Sequence, residues 1–131
     1  MKNIGGMGRD RKIKPHKNLV AWQKSMDLVQ LVYEFTRKFP KEEMFGLVSQ
    51  MRRAVVSAPS NIAEGAADRS NNQFINFLSI AIGSLNELDT QTEIAFRLNY
   101  LSGEEFGKLS EAIDTCLALT YGLKKSVKSK Q

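Results

Sequence analysis

The amino-acid sequence predicts an all-α protein, an antiparallel up-down-up-down bundle of four helices with a proline bend in the second. Three observations carry that expectation. From Asn18 onward the apolar residues recur with a helical period in every segment, and no stretch sustains an alternation with a period of two. Ser70-Asn71-Asn72-Gln73 and Ser102-Gly103-Glu104-Glu105 each have the form of a capping box, in which a serine and a side chain three residues on satisfy each other's free amides. The links between the helical segments are short, and a link of about two to six residues returns the next helix alongside the last.

The first helix is expected from Asn18, as N-cap, to about Lys38, with Trp22, Met26, Val29 and Tyr33 on one stripe and Leu28, Val32, Phe35 and Phe39 on its neighbour. Pro40 ends it. Glu42 and Glu43 stand where acids favour a helix start, and Met44, Leu47, Val48, Met51, Val55, Ala58 and Ile62 supply the second apolar stripe. Pro59 lacks an amide hydrogen and so removes one backbone bond, but the stripe keeps its phase through Ile62, which predicts a bend and a stop at Gly65. The third helix is expected from the Ser70 cap to about Tyr100, carrying Phe74, Phe77, Leu78, Ala81, Leu85 and Leu88. The fourth follows the Ser102 cap, with Phe106, Leu109, Ile113, Cys116, Leu117, Thr120 and Leu123 inward.

Composition narrows the chemistry. A chain of 131 residues, 42% hydrophobic and 25% charged, needs neither disulfide nor metal to hold a core. Cys116 is the one cysteine, which excludes an internal disulfide and a multi-cysteine zinc site, fits a reducing cytoplasm, and is expected to be an inert core residue. His16 is the one histidine and lies in a basic leader far from Cys116, so neither a two-histidine metal site nor a Cys-His dyad is available. Gly5-Gly6-Met7-Gly8 has neither the spacing nor the preceding strand of a dinucleotide-binding turn. No apolar run reaches the ~18 residues of a transmembrane helix, so no membrane partner is expected. No cofactor, no metal and no enzymatic activity are expected.

The net charge of +5 is unevenly distributed. Residues 1–18 carry a net +5, residues 121–131 a net +4 with no acid, and the body between them a net −4. Residues 1–17 therefore read as a flexible basic leader, 18–126 as the bundle and 127–131 as a basic C-terminal tail. Such charge runs are solvated tails or arms that grip phosphate. The candidate phosphate contacts are Arg9, Arg11, Lys12, Lys14 and Lys17 in the leader, Lys124, Lys125, Lys128 and Lys130 at the other end, and Arg52 on the bundle surface.

A polar row runs along the second and third helices. Arg53, Ser57 and Asn61 repeat at i+4 with Glu64 three residues later, and Ser84 and Glu87 are spaced i+3, so each set shares a face. Arg53 or Arg69 set against Glu64 or Glu87 would form a charge-assisted network, with the serines and Asn61 satisfying the remaining donors and acceptors. A polar layer fixing register, or a subunit contact, is favoured over a ligand or catalytic cleft, because no nucleophile has an adjacent base.

Trp22-Gln23-Lys24, Phe39-Pro40-Lys41-Glu42-Glu43, Gln50-Met51-Arg52-Arg53-Ala54, Ser57-Ala58-Pro59-Ser60-Asn61-Ile62-Ala63-Glu64-Gly65 and the run from Phe77 to Leu88 carry a family resemblance. The stretch from about Lys17 to Lys125 resembles the bacterial four-helix-bundle proteins encoded in 23S ribosomal RNA intervening sequences, often labelled ribosomal-protein-like. Relatives of the accessory variability determinant of diversity-generating retroelements, which binds nucleic acid and a reverse transcriptase as a ring-shaped homopentamer, belong to the same group. The resemblance implies a second helix passing through Pro59 and subunits assembled in a closed ring, with itself, RNA or DNA, and a reverse transcriptase or other protein as partners. Together with the charge distribution it leads to the expectation of a non-enzymatic, oligomeric nucleic-acid-binding accessory protein without sequence readout. The alternative is a protein-interaction scaffold whose tails serve solubility.

Overall fold

A computed structural model describes residues 14–67 and 70–131. Four helices form: α1, Val20–Thr36; α2, Leu47–Ala67; α3, Asn71–Arg97; and α4, Gly103–Lys128. Local chemistry sets their ends. Pro15–Asn18 makes a 3-10 turn, so α1 starts one residue past Leu19 with no side-chain cap, not at Asn18 as expected. Gln23 ties the turn down by donating to the Lys17 carbonyl at 2.8 Å. Helix α1 stops at Thr36, two residues short of Lys38. Pro40 and a second 3-10 turn, Lys41–Glu43, then delay α2 to Leu47. Glu43 nevertheless serves the start of α2, because its carboxylate accepts from the Leu47 amide at 3.2 Å and from the Tyr100 hydroxyl at 2.9 Å.

Helix α2 passes through Pro59, whose ring is buried, and through Gly65, which is not the stop the sequence suggested. After the proline, Ser60 donates to the Val56 carbonyl at 2.8 Å and Asn61 to the Ser57 carbonyl at 2.8 Å, side chains supplementing the ladder where it is interrupted. Gly65 is required by close approach. A Cβ there would lie 2.8 Å from Phe74 Cδ1 and 2.9 Å from Phe77 Cβ on α3. Ser70 caps α3 by accepting from the Gln73 amide, and Ser102 with Glu105 forms the full reciprocal box at 3.1 and 2.9 Å. Helix α3 ends at Arg97, short of Tyr100, because Asn99 turns left-handed at φ 65°. The amides of Asn99 and Tyr100 then close on the Phe96 and Ala95 carbonyls, a Schellman ending. Helix α4 continues to Lys128 with Val127 buried, so the bundle extends past residue 126.

Each helix packs on the two beside it, α1 on α2, α2 on α3, α3 on α4 and α4 on α1, while the backbones of the diagonal pairs stay apart. At one end Phe39 meets Tyr100 and Lys38 pairs with Glu105; at the other Gln131 bonds to Asn72. Neighbours therefore run antiparallel. The core falls into two clusters, a larger one around the buried side chains Leu28, Met51, Leu85, Leu88, Leu109 and Ile113, and a smaller one at the far end made by Ala21, Ile62, Leu78, Ala81 and Val127. Cys116 sits in the core at 1% exposure, and burial pushes its thiol up, partly offset by the Ser25 hydroxyl beside it.

Candidate functional site

The fold brings the start of α1 and the end of α4 together. Leu19, Ala21 and Trp22 of the α1 start share a cluster with Leu123 and Val127 of the α4 end. Lys14 and Lys17 therefore stand at the same end of the bundle as Lys124, Lys125, Lys128 and Lys130, all exposed except the half-buried Lys124. His16 packs edge-on against Trp22 at 4.9 Å, which holds the Pro15–Asn18 turn against α1. Arg9, Arg11 and Lys12 lie outside the described residues. Arg52 is at the opposite end of α2 and is engaged in structure. It donates to Thr36 Oγ1 at 3.0 Å and lies over the Tyr33 ring at 4.4 Å.

The polar row on α2 and α3 comes together only in its uncharged part. Ser84 donates to Ser57 Oγ at 2.8 Å across the helix pair, and Asn61 donates to the same oxygen at 3.0 Å. Arg53 and Glu87 are exposed on the rim of a 520 Å³ groove with Gln50 and Ala54. Glu64 is exposed as well. The charge-assisted network does not form among the described residues, and Arg69 lies outside them. Arg53, one turn before Ser57, and Glu87, one turn after Ser84, share the face of that contact and line the same groove, but they stand on its exposed rim without an ion pair between them.

An apolar face along α1 and α2 is the feature that sequence reasoning misplaced. Of the stripe Trp22-Met26-Val29-Tyr33, Met26 and Tyr33 are exposed and Trp22 and Val29 only half-buried against the core, which takes the neighbouring Leu28, Val32 and Phe35 from α1 with Ala21, Ser25 and Thr36. Trp22, Met26, Val29, Val56, Pro59 and Ala63 line a 360 Å³ groove between α1 and α2. Beyond it Met44 is 54% and Phe45 95% exposed, in the turn ahead of α2. With Tyr33, Met44, Val48 and Val56 beside it, Phe45 extends the apolar face past the groove. Two adjacent apolar stripes on one helix were the available signal, since one core face accounts for only one of them.

Among the described residues, no group of three or more His, Cys, Asp or Glu is placed to hold a metal, and no helix is long and apolar enough to cross a membrane. Compared with known proteins, residues 17–122 match the profile of a family described as 23S rRNA-intervening sequence protein. No curated protein matches. Among solved structures, the chain is similar to a protein of unknown function from the S23 ribosomal protein family of Bacteroides thetaiotaomicron VPI-5482, at 25% identity and a TM-score of 0.73, with 81% of this chain and 96% of that one covered.

Proposed function

The chain belongs to the family of 23S rRNA-intervening sequence proteins, and from that premise we propose that it is a non-enzymatic, oligomeric accessory protein of the cytoplasm that binds nucleic acid through its basic ends. The observation that supports this reading is the meeting of the α1 start with the α4 end, which puts Lys14, Lys17, Lys124, Lys125, Lys128 and Lys130 at one end of the bundle. A cluster of this kind neutralises phosphates and releases their counterions, an interaction indifferent to base sequence. The family name makes RNA the first ligand to test. The apolar α1–α2 face, with its exposed Phe45, supports a contact between copies, and a closed five-membered ring built on it would repeat the basic end five times and convert weak phosphate contacts into avidity.

Deleting residues 1–14 and replacing Lys124, Lys125, Lys128 and Lys130 with glutamine is expected to weaken binding of a mixed-sequence RNA at least tenfold at low salt while leaving helicity and particle mass unchanged. Undiminished binding would remove the basic ends from the site and turn attention to Arg52. A second reading, a protein-interaction scaffold, draws on the same apolar face, and absence of nucleic-acid binding by the parent chain would favour it.

A further inference from the structure

We infer that the ligand of this basic end is single-stranded nucleic acid, laid along the α3–α4 flank with Tyr121 as a stacking platform for an unpaired base; the inference rests on the proposed function and specifies its substrate. Tyr121 is 52% exposed on α4. Its position around the helix is fixed by Asp114, seven residues earlier and so on the same face, which lies close enough to Asp89 of α3 to act on its carboxyl. Tyr121 therefore faces along α3 toward solvent. Lys124, Lys125 and Lys128, at i+3, i+4 and i+7, stand on its flank in the turns that follow, and Lys130 continues them.

The surroundings of these lysines are unusual in a chain with 14 acidic residues. From residue 115 to the C-terminus α4 carries no acid, and from residue 70 to 86 α3 carries no charge of either sign, offering Asn71, Asn72, Gln73 and Asn76 instead. The α3 start is held beside the α4 end by the bond between Gln131 and Asn72. Among the described residues none of the four lysines has an ion pair, and the nearby Glu64 sits on α2, diagonal to α4. The carboxylates of this flank, Asp89, Glu93 and Asp114, are gathered farther toward the opposite end, where burial first and then mutual repulsion raises Asp89. The flank thus holds unneutralised ammonium groups for phosphate, an exposed ring for a base face, and amides able to donate to and accept from base edges. Duplexes present no unstacked base to such a ring, whereas single strands gain about 1–3 kcal/mol per stacked base.

The test measures binding of 20-nucleotide U and dT strands and of a mixed-sequence RNA duplex to the full chain by fluorescence anisotropy, with particle mass followed by light scattering. Tyr121→Ala is expected to weaken single-strand binding about five- to a hundredfold with an unchanged salt slope, and to leave duplex binding and mass alone. Tyr121→Phe should retain parental affinity. Changing Lys124, Lys125 and Lys128 to glutamine should instead flatten the logarithmic salt slope for single strands by about two. The U and dT arms decide between RNA and DNA as the source of the strand. Equal loss by Tyr121→Ala for duplex and single strand, no loss at all, or a changed particle mass would each overturn this inference while leaving the basic-end reading intact. No binding of any strand by the parent would overturn both.

Discussion

Replacing Gly65 with alanine tests the packing on which every placement above depends. In an ordinary helix interior the change stabilises by about 1 kcal/mol, since alanine loses less backbone entropy. At Gly65 the new methyl would stand 2.8 Å from Phe74 Cδ1 and 2.9 Å from Phe77 Cβ, with the Phe74 Cα at 3.4 Å behind. The ring carbon can rotate away, but a Cβ moves only with its backbone, so α2 and α3 must separate. Overpacking of this kind costs about 1–3 kcal/mol, and with two contacts inside van der Waals range the upper part applies. The net expectation is a loss of about 1–2 kcal/mol, or a melting temperature about 3–8 °C lower for a domain of this size. Gly107, also inside a helix, would place a Cβ with nothing within 4 Å, and Gly107→Ala should raise the melting temperature by about 3 °C. Thermal melts followed by circular dichroism at one fixed chain concentration compare the two. Equal stabilisation by both substitutions would refute the close approach of α2 and α3.

Glu64→Ala should cost under about 1 kcal/mol, because the carboxylate is exposed; a loss of about 3 kcal/mol in a melt would place it in a buried ion pair instead. Arg52→Ala should lower stability by about 1–2 kcal/mol through loss of the bond to Thr36 and the stack on Tyr33, measured by urea denaturation with an unchanged slope. The Cys116 thiol, raised from 9.0 by burial, holds its proton more tightly when folded than unfolded. Its contribution to stability is therefore full below about pH 9 and is lost as pH rises through the folded value. A thiol reagent should accordingly react slowly at pH 8 and rapidly after denaturation, and fast reaction in the folded state would contradict the burial.

The parts of this fold that were legible in the sequence are those decided within one turn of chain. The Ser102–Glu105 box and the Ser70 cap are four-residue events, and both form. The stripe through Pro59 kept its phase, and the helix follows it. What local pattern could not decide was which of two adjacent stripes on α1 enters the core, because Met26 and Leu28 are equally apolar and only the rotation set by α2 and α4 separates them. Gly65 carried the same ambiguity, since a glycine that ends a helix and one that admits a neighbouring helix look alike in sequence. The polar row was found by its i+4 spacing, yet the exposure of Arg53, Glu64 and Glu87 depends on where Ser57 meets Ser84, a contact 27 residues apart. The up-down topology expected from the short links already sets the start of α1 at the same end as the finish of α4, whereas the flank on which Lys124, Lys125 and Lys128 stand depends on how α4 is rotated against α3.

The most direct test of nucleic-acid binding by the basic ends is the affinity of the full chain for a mixed-sequence RNA as salt rises from 50 to 200 mM. A surface that works by neutralising phosphates loses roughly tenfold or more over that range and treats unrelated sequences alike. Binding that is flat with salt, confined to one sequence, or absent at 50 mM would contradict it.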